Sequence, residues 1–324
     1  MNRLTLAEFR ARAEEYAAAV AATPGVCEFC SGSLWQLAAR AHLQSSKATE
    51  DDTFIIERDG AWLLFAAQEP AGIYFPLEAS WMFGCPLAGD PNAAVALLRD
   101  AARAEGQVQG RHLAFFIGGL VVDGPIHRAL QPLRPVSRHW REYPGMDVMQ
   151  IDLGEGFEAW EERRSKKFRR SLRGLAETVP GLEILDLSKD DPDEIFARIL
   201  AIQQATYKWQ EGTDIFQMHG YAAFYRELLG GLHATGDLRV LMARRDSVDL
   251  AHIFGGVAGK TYRGLQMSYL EEARDLALGN RLQLENLRRC AQKGITTYDL
   301  GMHAPYKERW ADRWEKRIGA LWVA

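Results

Sequence analysis

Near its C-terminal end the chain reads "DLGMHAPYKERWADRW", Asp299 to Trp314. An apolar-flanked strand pattern, Ile295 to Leu300, breaks at Gly301, and a polar turn leads to Pro305, Tyr306 and Lys307. Asp, Tyr and Lys gathered at one strand end are the side chains of proton transfer and anion binding: a carboxylate that takes a proton, a phenol that gives one, an ammonium that holds a negative group. An ordinary strand-to-helix loop would carry the same residues, with Asp299 as a cap or salt-bridge partner and a helix opened by Pro305. A Lys in the first turn of a helix opposes the helix dipole, which an anionic partner would explain.

Other polar groups sit where chemistry is possible. "RRSKKFRRSLR", Arg163 to Arg173, has seven basic residues in eleven and no acid. Phe168, Leu172 and Leu175 recur at helical spacing, so one face docks while Lys166, Lys167, Arg169, Arg170 and Arg173 meet solvent or a polyanion. His252 lies within the strand pattern "LAHIFGG", beside Gln266 and Tyr269 of the next strand, either as a core histidine with its hydrogen bonds satisfied or as a pocket residue. Lys208 and Trp209 place a cation beside an aromatic at a helix end, which suits a flat or anionic substrate as well as simple packing. Cys27 and Cys30 form a C-x-x-C. It lacks a second metal-binding pair and the βαβ surroundings of a redox site, so two reduced cysteines beside a turn are expected. There is no Ser/His/Asp nucleophile motif, no Walker loop and no plausible metal set.

The rest of the sequence must position these groups. The chain has 324 residues, 39 basic and 43 acidic, for a net charge of -4. That balance does not mark a protein committed to nucleic acid or to a membrane surface. No apolar run approaches the roughly 18 residues of a membrane span. The first residues, with a Thr5/Glu8 capping box, read as a helix rather than a signal peptide, so a cytoplasmic location is expected.

Two halves are expected, 1–150 and 151–324. In the first, Asp59-Gly60 turns a hairpin, Asp90-Pro91 opens a helix, and "HLAFFIGGL" is a buried strand. The second reads β-α-α-β-β-β-α-β-α-β, with Asp191-Pro192 opening a helix to about Trp209 and an antiparallel meander over 238–270. The helix–strand pair "DPNAAVALLRDAARAEG…LAFFIGG" echoes "GNRLQLENLRRCAQKG…TTYDLGM", which points to two similar α+β domains, each a mixed, mostly antiparallel sheet flanked by helices.

That element order resembles the GNAT acyltransferase fold. The phrases "SKKFRRSLRGLAE", "IQQATYKWQEG", "MSYLEEARDLALGNRL" and "GITTYDLGMHAPYKERW" resemble the FemAB-type GNAT-like acyltransferases, and more narrowly the branch associated with cellulose or exopolysaccharide biosynthesis. The resemblance covers 150–324 in phrases and the first half in pattern only. It implies tandem GNAT-like domains and transfer of an acyl group from an activated donor to an amine, by direct attack without a covalent enzyme intermediate. The donor would be acyl-CoA, an acyl carrier protein thioester or, as in the FemAB peptide ligases, aminoacyl-tRNA. The acceptor would be a small-molecule or peptide amine. No cofactor would be permanently bound. A catalytically degenerate module that binds a carrier protein or envelope precursor is the alternative from another class.

The resemblance also distributes roles. GNAT enzymes cradle the CoA pyrophosphate on a Q/R-x-x-G-x-G/A loop at a helix start. Here "RDLALGNRL" keeps Gly279 and a basic Arg281 but lacks the second Gly, so Gly279, Asn280 and Arg281, with Lys167 and Arg170, are the candidate donor-binding residues. Asp299 becomes the candidate general base, Tyr306 the proton donor to a leaving thiolate, and Lys307 a ligand for a phosphate or acceptor carboxylate. Lys208, Trp209, His252, Gln266 and Tyr269 are candidates for the acceptor side, and His303 is expected to be a loop residue.

Overall fold

The computed structural model describes residues 1–44, 52–68, 72–78 and 81–324. The chain divides into two compact units, Met1–Asp147 with Glu315–Ala324, and Val148–Trp314. The linear division placed 315–324 with the second domain; in the structure these residues belong to the first unit, because their strand pairs there.

The first unit opens with β1 (Asn2–Leu4), α1 (Leu6–Ala11) and α2 (Ala13–Ala22), one expected helix broken at Arg12. Thr5 caps α1 in the expected box with Glu8. Then come α3 (Glu28–Ser31), α4 (Ser33–His42), β2 (Thr53–Arg58), β3 (Ala61–Gln68), β4 (Ile73–Pro76) and β5 (Leu87–Ala88). Asp59 and Gly60, both at positive φ, turn β2 into β3. α5 (Pro91–Gln109) starts where the Asp90 carboxylate accepts from the Asn92 and Ala93 N–H groups, and Gly110 ends it in the left-handed conformation. β6 (Ala114–Val121), α6 (Pro125–Leu130) and β7 (His139–Asp152) follow. Cys27 caps α3, its Sγ accepting from the Cys30 N–H, and all four cysteines are buried.

The second unit contains α7 (Gly156–Glu162), α8 (Lys166–Ala176), β8 (Leu182–Asp186), α9 (Pro192–Gln204), α10 (Tyr207–Gln210) and α11 (Tyr221–Thr235). The long helix expected from Asp191 to Trp209 is two helices, because Thr206 caps a fresh start by accepting from the Trp209 N–H. β9 (Leu238–Arg245), β10 (Val248–Ala258) and β11 (Thr261–Tyr269) form the meander. Then come α12 (Leu278–Gln292) and β12 (Thr297–Met302), and β13 (Arg313–Val323) returns to the first unit. The helix expected near Tyr306 is a single 3-10 turn, Pro305–Lys307.

Strand pairing follows one plan in both units. In the first, β2, β3 and β4 are antiparallel, β4 pairs β6 in parallel, and β6 pairs β13 antiparallel. In the second, β9, β10 and β11 are antiparallel, β11 pairs β12 in parallel, and β12 pairs β7 antiparallel. α5 precedes the parallel strand β6 as α12 precedes β12. These are two α+β units of like plan, as the repeated helix–strand pattern suggests. Each unit buries its own core. Leu97, Leu98, Phe115 and Trp322 lie in one, and Trp160, Tyr262, Leu287, Tyr298 and Trp310 in the other.

Candidate active site

The parallel ladder between β11 and β12 is short. It joins Thr261, Tyr262 and Arg263 to Thr297, Tyr298 and Asp299, and stops there. Beyond this last rung β11 runs on to Tyr269 while β12 runs on to Met302 with no partner residues between them. Strands that part in this way leave backbone groups available to a ligand.

A cleft of about 510 Å³ lies beside the outer part of β11. Met267, Ser268 and Tyr269 supply one wall and the start of α12, Ala277 to Asn280, another. Thr206, with Tyr207 and Lys208 of α10, Glu271, Arg274, Tyr306 and Arg309 complete it. No side chain caps α12, so the N–H groups of Leu278, Gly279 and Asn280 lack partners within the helix. Three cations face this positive helix end. Arg274 pairs with Glu271 at 2.9 Å, Arg309 donates to Asn280 Oδ1 at 3.0 Å, and the Lys208 ammonium has no partner among the described residues. The electrostatics favour a polyanion, and a diphosphate fits this arrangement of donors.

Ala277 holds φ at +50°, in the left-handed region usually left to glycine. Arg274-x-x-Ala277-x-Gly279 thus sets a basic residue, a left-handed backbone position and a glycine at the start of α12. Gly279 itself packs close to β11. A Cβ there would come within 3.2 Å of the Met267 methyl group.

Five of the expected site residues line the cleft: Lys208, Tyr269, Gly279, Asn280 and Tyr306. The others lie elsewhere. Arg281 does not reach the cleft; it donates to the carbonyls of Leu276, Leu175 and Glu177, tying α12 to the end of α8. Lys167 and Arg170 are exposed on α8 and do not line it either. Trp209 is half-buried and Gln266 donates to the Tyr225 hydroxyl at 2.9 Å, so both support neighbouring elements. His252 is fully buried, and neither ring nitrogen has a hydrogen-bond partner among the described residues. Burial pushes its pKa down to about 3, so the ring is neutral and belongs to the core rather than to the acceptor side. His303 is a loop residue that meets Glu308 at 2.9 Å and packs on Trp314.

Asp299 is 1% exposed, and both its oxygens accept from Arg263 Nη1 at 2.7 Å. Oδ1 also accepts from the Gly301 N–H at 2.7 Å. A buried carboxylate that accepts three hydrogen bonds in this way organises the strand end. Lys307 Nζ donates to the carbonyls of Leu300 and Met302, at 2.7 and 2.9 Å, which closes the turn after β12. Burial, helped by the Arg263 charge, draws its pKa down to about 8, and Asp299 resists the shift. A lysine bonded to two backbone carbonyls is not placed as a phosphate ligand, but it titrates near neutral pH. Tyr306 is half-exposed at the cleft wall, next to that lysine.

Residues 162–308 match the family model described as an acetyltransferase (GNAT) domain. A search of curated proteins found no match by sequence. Among solved structures, the crystal structure of FemX is similar with a TM-score of 0.69 at 14% identity, covering 99% of this chain and 97% of FemX. A conserved protein from Bacteroides thetaiotaomicron is similar at 0.63 and 13%, covering 96% and 97%. L-PGS from Bacillus licheniformis is similar at 0.58 and 12%, covering 95% and 90%. At such identities the structural likenesses establish the fold. Residues 162–308 therefore match an acetyltransferase (GNAT) domain model, within a chain whose fold is similar to that of FemX.

Proposed function

We propose that the chain is an N-acyltransferase that moves an acyl group from a phosphate-bearing thioester donor, acyl-CoA first, to an amine by direct attack. The observation that carries this reading is the parting of β11 and β12 after Arg263 and Asp299, with the uncapped start of α12 beside the outer part of β11. In this reading the donor's diphosphate rests on the N–H groups of Leu278, Gly279 and Asn280, with Lys208, Arg274 and Arg309 around it. The acyl carbonyl lies where the strands separate, so that a backbone N–H can stabilise its oxyanion. The amine nitrogen attacks the carbonyl carbon and the carbon–sulfur bond breaks. Neutral Lys307 takes the proton released by the nitrogen, and the Tyr306 hydroxyl gives one to the departing thiolate. Asp299 acts through Arg263 as a positioning residue, not as the base.

A second reading has an observation of its own. α8 exposes Lys166, Lys167, Arg170 and Arg173 with no acidic residue in the helix, while Phe168 and Leu172 anchor its other face. Such a surface suits aminoacyl-tRNA or an acidic acyl carrier protein as donor. A small-molecule or peptide amine would be the acceptor in either case, and the reaction would take place in the cytoplasm.

The test is direct. Purified protein is mixed with acyl-CoAs, acyl carrier protein thioesters and charged tRNAs over a library of amines, and transfer is followed by mass spectrometry. Transfer from acyl-CoA together with a CoA-dependent thermal shift supports the first reading. Transfer from tRNA alone, with affinity that falls steeply as salt rises, supports the second. No transfer from any donor and no thermal shift would leave a binding module without turnover and overturn both.

A further inference from the structure

The first unit has a cleft of its own, of about 470 Å³, at the end of α5, the start of β6 and the end of β13. That volume falls in the range of roughly 300–1,000 Å³ typical of small-molecule sites. Arg99 and Arg103, one helical turn apart on α5, share its wall with Arg111 and His112. No acidic side chain lines it. Arg103 has no partner among the described residues, and Arg111 uses only its Nε, on Gln109 at 2.8 Å. Arg99 is partly neutralised by Asp100, which Arg58 also uses, and His112 Nδ1 lies 3.1 Å from the Ala324 backbone oxygen. The helix dipole does not account for the cluster, because no basic residue occupies the last turn of α5.

The apolar part of the cleft is Leu113, Leu133 and Trp322, all buried. Trp322 is 3% exposed and stacks on Phe115, yet its indole N–H has no acceptor among the described residues. Three guanidiniums and an imidazole exceed what one carboxylate can use, whereas a phosphate monoester brings up to two charges and three acceptor oxygens.

We propose that this cleft binds an organic phosphate with an apolar arm, the phosphate held by Arg103 and Arg111 and the arm lying against Leu113, Leu133 and Trp322. The site lies wholly in the first unit and does not depend on the acyl-transfer reading of the second.

The probe is octyl phosphate, titrated into the full chain, with binding read by calorimetry and by the indole N–H resonance assigned through Trp322→Phe. The expected result is saturable binding that shifts the Trp322 resonance. It should weaken roughly tenfold or more in Arg103→Glu and in Arg111→Glu, the loss expected for a charge-assisted contact. Circular dichroism shows whether each variant keeps its fold, and Arg103→Gln and Arg111→Gln replace any that does not. Octanol, octanoate and inorganic phosphate should each bind more weakly. Vesicles carrying phosphatidic acid identify the source: co-sedimentation assigns a lipid head group, and its absence assigns a soluble ester. No binding of octyl phosphate, unchanged affinity in the folded Arg variants, or equal binding of octanoate or inorganic phosphate would overturn the proposal.

Discussion

Arg263 Nη1 lies 2.7 Å from both carboxylate oxygens of Asp299, and the two residues face each other across the last rung of the β11–β12 ladder. The pair is 4% and 1% exposed, so each charge depends on the other for its solvation. It sits where the two strands stop pairing, and it fixes where the gap between them begins. Asp299→Asn should therefore act first on folding. It leaves a buried guanidinium without its counter-charge, at a cost of about 3–5 kcal/mol. Urea unfolding measures this. A variant of unchanged stability that loses only kcat would return Asp299 to the role of general base.

Lys307 carries the pH prediction. Its folded pKa is lowered to about 8, while an unfolded lysine titrates near about 10.4. Between those values the unfolded chain holds more protons, so this residue makes stability rise with pH from about 8 and contributes no slope below it. If neutral Lys307 accepts the proton, kcat/KM should climb with pH and level off above about 8. Lys307→Met should lose roughly 10²–10⁴-fold in kcat, with the donor KM little changed. A rate that falls through the same pH range would show that the cation, not the free amine, is the active form.

His252 has an effect of the same sign in the acid range. The buried ring stays neutral down to about pH 3, whereas the unfolded residue takes up a proton near about 6.5. Between those values the unfolded state binds the extra proton, so the stability contributed is complete above about pH 6.5 and declines as pH falls. His252→Leu removes this term and two unsatisfied nitrogens. The difference in unfolding free energy between pH 7 and pH 5 should shrink by about 2 kcal/mol, with no loss of stability at pH 7. An unchanged difference would mean that the ring is solvated or partnered.

Much of this architecture is legible in short phrases. Asp90-Pro91 and Asp191-Pro192 open helices where their side chains accept from the next N–H groups, and Asp59-Gly60 turns its hairpin. The cleft was legible where a residue's position along an element decides its exposure, as with Tyr269, Gly279 and Tyr306. It was not legible where a partner comes from another element. Asp299 reads as either a general base or a cap or salt-bridge partner until β11 brings Arg263 into register, and Arg281 reads as a phosphate ligand until α8 offers its carbonyls. Arg309 lies two residues beyond Lys307, and only the fold brings it to Asn280. The last strand belongs to the first unit through long-range pairing with β6, which local pattern does not encode.

Ala277 supplies the sharpest test of the start of α12 as the phosphate cradle. A non-glycine residue in the left-handed region costs about 1–2 kcal/mol. Replacing it with glycine relieves that strain but adds about 0.4–1 kcal/mol of unfolded-state entropy. Ala277→Gly should therefore be neutral to mildly stabilising, and the donor KM should hold or improve. Ala277→Val should do the reverse, because a β-branched residue at φ +50° either strains the turn or moves the N–H groups of Leu278, Gly279 and Asn280. Thermal melts and donor KM measured on both variants separate the two effects. If the Val variant lost stability yet bound donor as tightly as the parent, the start of α12 would not be the phosphate cradle, and the donor would have to be held elsewhere.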